Sequence, residues 1–168
     1  MRNEIDFGAT YYMDYSPFGG LGVFAKRFIK QGEVICILQG DIVLPTIGLD
    51  EYIITDLLNI TDCYCMFLRT EYRYFNHSCD ANATVTDITT LKAIKDINIG
   101  DEITYNYAMT VFPNSGWKME CKCKGENNIH TISSIDFELI SKVRDYYNNK
   151  WLQYYMIPIA KNILKFKK

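Results

Sequence analysis

Three kinds of side chain in this sequence could do chemistry: thiols, imidazoles and closely spaced tyrosines. The six cysteines are Cys36, Cys63, Cys65, Cys79, Cys121 and Cys123, and the two histidines are His77 and His130. His77 and Cys79 invite reading as a base and a thiol nucleophile. Residues two apart in an extended segment rarely converge on one substrate atom, and no third group to orient the imidazole is evident. Tyr105 and Tyr107 alternate by two. On a strand they would share a face, either as the wall of a channel or as ordinary strand aromatics. Gly20-Leu21-Gly22-Val23-Phe24-Ala25 fits the dinucleotide pattern G-x-G-x-x-G/A. That pattern works only between a strand and a helix, whose N-terminus receives the pyrophosphate. Here a turn-like Tyr15-Ser16-Pro17-Phe18-Gly19 precedes it and β-rich sequence follows. What the glycines still offer is close backbone approach to a ligand, or a tight turn.

The elements that must position these residues read as short strands. Val23-Phe24, Glu33 to Leu38, Ile42-Val43, Tyr52 to Thr55, Ala83 to Val85, Thr90 to Ile94 and Glu102 to Tyr107 are β-like runs. Turn residues such as Ile99-Gly100-Asp101 separate them. Without intervening helical periods, they predict a mainly β, antiparallel architecture. After Ser133 the period becomes helical. Ile135, Phe137, Ile140, Val143 and Tyr147 share one helix face, with Ser133 and Asp136 placed as an N-cap pair. Trp151, Leu152, Tyr154 and Tyr155 continue an aromatic stripe expected to pack on the β body. Pro158 then breaks or restarts the helix, and Ile159, Ile163 and Phe166 could form one more.

A chain of 168 residues, 48% hydrophobic and 14% aromatic, can bury a core and is not disordered. It contains no stretch approaching the ~20 apolar residues of a membrane span, and its N-terminus lacks a signal peptide's apolar region. The cysteines are then expected to be reduced thiols or metal ligands inside a cell, in nucleus or cytoplasm. The net charge of -2 conceals an asymmetry. Residues 141–168 carry seven Lys/Arg against Asp145 alone, which leaves -8 on residues 1–140. An acidic body favours a cationic partner, and a basic tail could touch nucleic acid, although no aromatic-basic motif accompanies it.

Two further segments decide the reading. They are Arg73-Tyr74-Phe75-Asn76-His77-Ser78-Cys79-Asp80-Ala81-Asn82 and Gly100-Asp101-Glu102-Ile103-Thr104-Tyr105-Asn106-Tyr107. Taken in order after the Gly20-x-Gly22 segment, they resemble the SET-domain protein lysine methyltransferases. The resemblance spans roughly residues 15–132 and implies a fold of several small antiparallel sheets with a knot-like crossing, plus C-terminal helices. It further implies a SET domain over residues 1–112, a post-SET-like segment over 113–132 and a helical extension over 133–168. S-adenosylmethionine would be held by Gly20, Leu21, Gly22, Arg73, Tyr74, Asn76, His77 and Tyr107. Tyr107 corresponds to the catalytic tyrosine, and Tyr105 to the position that limits how many methyls are added. Trp117 is the candidate to pack on the adenine. Methyl transfer to lysine needs a neutral amine, in-line geometry and little water, and a narrow aromatic channel provides all three.

Cys121-Lys122-Cys123 resembles the start of a post-SET segment, whose cysteines bind zinc together with the cysteine at position 79. The resemblance therefore implies Cys79, Cys121 and Cys123 as metal ligands. The expected third post-SET cysteine is Asn128 here, with His130 two residues on. Two readings stand: a Cys3His zinc site reached by a different loop path, or a zinc-free segment held by Trp117 and Met119. A second departure is Leu38, where many members carry a channel tyrosine; Tyr64 is a candidate replacement. The expected activity is mono- or dimethylation of a lysine in a basic protein segment, a histone among the candidates. The alternative is a catalytically silent SET fold that binds basic peptides. Neither a membrane nor nucleic acid is an expected partner.

Overall fold

The computed structural model describes the chain apart from residues 1–4, 7, 45–55, 62–63, 113–115, 126–128, 135–138, 151 and 166–168. The β-like run at 52–55, Cys63, Asn128, Ile135, Asp136, Phe137, Trp151 and Phe166 thus lie outside the described residues. Among the described residues four small sheets form, and every strand pair within them is antiparallel. The first joins β1 (Ile5–Asp6), β2 (Tyr11–Tyr15) and β3 (Leu21–Ala25). The second has the order β4 (Val34–Ile37), β9 (Thr90–Ala93), β8 (Ala83–Thr86). The third has the order β5 (Gly40–Val43), β7 (Cys65–Leu68), β6 (Leu57–Asn59). The fourth pairs β10 (Lys118–Cys121) with β11 (His130–Ser133). Two helices follow, α1 (Leu139–Asn148) and α2 (Met156–Lys165). No described helix is long and apolar enough to cross a membrane.

Local sequence accounts for the joints. The β2–β3 turn closes through Gly19 N–H to Ser16 O and Ser16 N–H to Gly20 O. Gly19 and Gly20 take φ values of 104° and 71°, which a side chain would oppose. Gly40 enters β5 where a Cβ would strike the Phe67 carbonyl oxygen. Pro158 sits in the first turn of α2, where its missing N–H has no intrahelical partner, so it begins this helix rather than ending one. A first core gathers Val23, Ile29, Leu38, Phe75, Leu91, Ile97 and Ile103 from the first three sheets and the segments between them. A second joins Tyr146, Leu152, Met156 and Ala160 to Ile94 and Met109, with Tyr155 packed against it; of the expected aromatic stripe Leu152 and Tyr155 pack on the β body, whereas Tyr154 is 75% exposed.

One expected strand is different. Residues 102–107 form no regular strand: Tyr107–Met109 is a 3-10 turn, with the Asn106 side chain accepting from Ala108 N–H at 3.1 Å. Before that turn the segment is held on two sides. Ile103 N–H donates to Val23 O, and Phe24 bridges Glu102. On the other side Ala83 N–H donates to Thr104 O, and Tyr105 N–H to Asn76 O. The bridges of Tyr105 to His77 and to Ala83 are parallel, unlike the sheets. This is the crossing that brings residues 76–83 beside 102–107.

Glu102 fastens that crossing. Its carboxylate accepts from Asn76 Nδ2 at 2.7 Å and from Ser16 Oγ at 2.9 Å, while Asn76 Nδ2 also donates to Leu21 O. Asn82 Nδ2 donates to the Glu102 carbonyl and Asn82 Oδ1 accepts from Thr104 N–H. Gly22 is required here, because a Cβ would meet the Glu102 carboxylate and the Asn76 amide. Glu102→Ala leaves part-buried donors short of an acceptor and should cost about 1–3 kcal/mol, with Glu102→Gln costing less; urea unfolding reads both. The same measurement should give about 3–5 kcal/mol for Phe75→Ala, a fully buried ring. Exposed Ile99→Ala should stay within about 0.5 kcal/mol.

Candidate functional site

Where the crossing meets the β2–β3 turn there is a cleft of about 170 Å³, with Phe18 and Gly19 on one side and Asn76, His77 and Tyr107 behind. Its remaining wall comes from residues 119–123, including Met119 and Lys122. Asn76 is fixed by Glu102 and Leu21, as described above. His77 is 7% exposed and its Nδ1 accepts from Tyr107 N–H at 3.1 Å. The His77 and Tyr107 rings meet edge to face, with centroids 5.4 Å apart.

Tyr107 donates its hydroxyl to Phe75 O at 2.8 Å. Its ring lies 4.7 Å from that of Tyr105, tilted by 43°. The rings therefore adjoin although the backbone is not the expected strand. Burial pushes both phenols well above their ordinary pKa, and for Tyr107 the nearby Tyr105, Asp56 and Glu102 add to it. Both hydroxyls stay protonated across the working range of a protein. The result is a pair of desolvated, neutral hydroxyls set among apolar ring faces.

The other residues named from sequence are placed as follows. Gly20 shapes the turn, Leu21 supplies the carbonyl that Asn76 binds, and Gly22 leaves room for Glu102. Arg73 lies away from the cleft: its Nε donates to Leu68 O, its Nη1 is 3.4 Å from Asp56, and its guanidinium lies over the Phe67 ring. Tyr74 packs against the first core. Trp117 accepts Ser134 N–H on its carbonyl and does not line the cleft, where Met119 and Phe18 stand instead. Leu38 is buried in the core at 2% exposure, and Tyr64 is exposed beyond β6. Glu102 and Phe18 are not named as site residues from sequence, and Met119 is named only as packing beside Trp117. Glu102 lies inside the Gly100–Tyr107 motif, which is the available signal; Phe18 has none.

Beside the cleft a thiol cluster forms. Cys121 Sγ lies 3.9 Å from Cys79 Sγ and 3.2 Å from Cys123 Sγ. His77 Nε2 and His130 Nε2 approach Cys79 Sγ at 3.4 Å and 3.2 Å. The donor atoms of His77, Cys79, Cys121 and Cys123 all lie within 4.8 Å of one another. A tetrahedral ion with metal–sulfur bonds of about 2.3 Å sets ligand–ligand edges of about 3.8 Å, so the donor set fits a zinc-sized cation. Burial and the crowding of Cys121 and Cys123 push the Cys79 thiol up to about 12. Burial likewise raises Cys121. At Cys123 burial is outweighed by the Cys79 N–H and neighbouring thiols, and the pKa falls. A bound dication would instead favour thiolates throughout. Cys36 is strand material in β4, its thiol raised to about 12 by burial. Cys65 is buried at the start of β7.

The comparisons with known proteins agree with this geometry. The family model described as SET domain matches residues 20–108, just over half of the chain. The variant-silencing SET domain-containing protein of Plasmodium falciparum is 30% identical over 67% of this chain, which spans 5% of that protein. Histone-lysine N-methyltransferase mes-4 of Caenorhabditis elegans is 29% identical over 67% of this chain, which spans 16% of it. Among solved structures, a candidate histone methyltransferase of Plasmodium falciparum superposes with a TM-score of 0.52 at 25% identity, over 60% of this chain and 95% of that one. ctPRC2 bound to S-adenosylmethionine superposes with a TM-score of 0.52 at 23% identity, over 64% of this chain and 16% of that one. The Gly20–Gly22 turn, the Asn76-His77 segment and the paired tyrosines all fall within the matched region: the chain belongs to the SET-domain family.

Proposed function

We propose that this chain is an S-adenosylmethionine-dependent protein-lysine N-methyltransferase that adds one or two methyl groups to a lysine in a basic protein segment, with histones as candidate substrates. The observation that carries this reading is the pair of neutral, desolvated hydroxyls of Tyr105 and Tyr107 beside the Asn76–His77 cleft. The cleft suits a donor with an aromatic ring and polar edges: Phe18 and Met119 offer apolar faces, and the Gly19 turn lets backbone come close. The donor, when bound, supplies an electrophilic methyl group on sulfur.

The chain's own residues would do the rest. A lysine entering the cleft beside Tyr107 loses water, which lowers the pKa of its ammonium and yields the neutral amine that can attack. Because the Tyr107 proton is committed to Phe75 O, the lone pairs of that oxygen remain free to accept weak C–H···O contacts from a transferring methyl group. The Tyr105 hydroxyl would occupy space and hydrogen-bond a methylated amine, which limits further transfer. The excess negative charge on residues 1–140 favours a cationic substrate. A zinc ion held by Cys79, Cys121 and Cys123 would fix the wall formed by residues 119–123 against the cleft.

A second reading is a silent peptide-binding module, favoured by Leu38 standing buried where many relatives have a channel tyrosine. Mass spectrometry of basic peptides and histones incubated with isotope-labelled S-adenosylmethionine separates the two. We expect mass gains of one or two methyl groups on lysine, lowered by at least about 100-fold in Tyr107→Phe. Peptide binding without transfer, or transfer untouched by Tyr107→Phe, overturns the enzyme reading.

A further inference from the structure

We infer that His130, not His77, supplies the fourth ligand of the thiol cluster, and that His77 instead ties the cluster to the backbone of Tyr107. The inference rests on the reading above that the cluster holds a zinc ion. Two imidazoles compete for one position, since both approach Cys79 Sγ at hydrogen-bonding distance. Proximity alone selects His77, one ring nitrogen of which groups with all three sulfurs.

The lone pairs select otherwise. A neutral imidazole has one N–H and one lone pair. The lone pair of His77 is on Nδ1, because that atom accepts the Tyr107 N–H at 3.1 Å. The proton is therefore on Nε2, which faces Cys79 Sγ at 3.4 Å as a donor. A metal-binding histidine needs the reverse, a lone pair toward the metal and the other nitrogen's N–H toward an acceptor. His77 is an N–H···S donor to the Cys79 sulfur, not a ligand.

His130 lies outside that compact group but stands beside it. It is the direct cross-strand partner of Cys121 in the β10–β11 pair, so their side chains share one face of that ribbon. Its Nε2 lies 3.2 Å from Cys79 Sγ. Register also explains the two-residue offset from position 128. What stands beside Cys121 is set by the strand pairing, and β11 puts residue 130 there. The turn before it is tightened by Gly125 N–H to Lys122 O, with Gly125 at a φ of 94°. Four groups then form a continuous chain: the ion, the Cys79 sulfur, the His77 ring and the Tyr107 N–H.

Cobalt substitution of the full chain tests the assignment. The metal-loaded wild type should bind one ion per chain and show tetrahedral d–d bands of a three-sulfur, one-nitrogen site. His130→Cys should retain one ion and move those bands to longer wavelength, as a fourth sulfur replaces nitrogen. His77→Phe keeps an edge-on ring against Tyr107; it should leave the d–d bands in place but shift the sulfur-to-cobalt charge-transfer band, since the N–H···S bond is gone. In the same variant the Tyr107 amide resonance should no longer respond to zinc loading, as it does in the wild type. A wild-type chain that binds no metal would sink the zinc reading itself. A chain that binds one ion, with d–d bands unmoved by His130→Cys or moved by His77→Cys, overturns the ligand assignment and leaves the zinc reading standing.

Discussion

The carboxylate of Glu102 is the point on which the site depends. It accepts from Asn76 and Ser16 at once, and its backbone bridges Phe24 and accepts from Asn82. Three stretches distant in sequence are thereby held in one register: the β2–β3 turn, the Asn76–His77 segment and the approach to the tyrosines. Hydrogen bonds to a charged acceptor are stronger than neutral ones, and a half-buried carboxylate tolerates few losses. Gly22 follows from the same constraint, because no side chain can share the space with Glu102 and Asn76. The glycine pattern that looked like a nucleotide fingerprint is a clearance requirement.

The chemistry of the cleft comes from exclusion of water more than from charge. Tyr105 and Tyr107 are neutral because burial forbids the phenolate, and the same dryness would deprive a lysine of its proton. Backbone and ring groups hold Tyr107 in place: Phe75 O takes its hydroxyl, and His77 takes its N–H. Arg73, an obvious cation in the motif, is used elsewhere, bound to the end of β7 and to Asp56.

Much of this was legible in the residues. Short β-branched runs gave β4, β8 and β9 nearly to the residue, and the change to a helical period located α1. The motif strings brought Asn76, His77, Tyr105 and Tyr107 to one place. What escaped depends on partners far along the chain. Tyr11–Tyr15 carries aspartate and tyrosines, and its strand character comes from pairing with β3 on one side and β1 on the other. Conversely Glu102–Tyr107 has strand composition but meets its neighbours on two sides in different senses, so only isolated bridges form. Phe18 and Met119 line the cleft because of how the β2–β3 turn and β10 lie against it, and no local pattern separates them from Trp117. The pairing of Cys121 with His130 is a matter of register, which residue spacing alone leaves open.

The crossing has a consequence for how this chain acquires its shape. The contacts that define the cleft join residues 86, 55 and 26 positions apart, namely Ser16 to Glu102, Leu21 to Asn76 and Asn76 to Glu102. Each requires closure of a long loop before any enthalpy is returned, and the 102–107 segment must enter between two stretches that are themselves held together by it. Folding dominated by such distant pairings is slow. The cleft therefore has no half-built form. A chain in which the crossing has opened keeps no cleft, and a ligand that spans the cleft would hold the crossing closed.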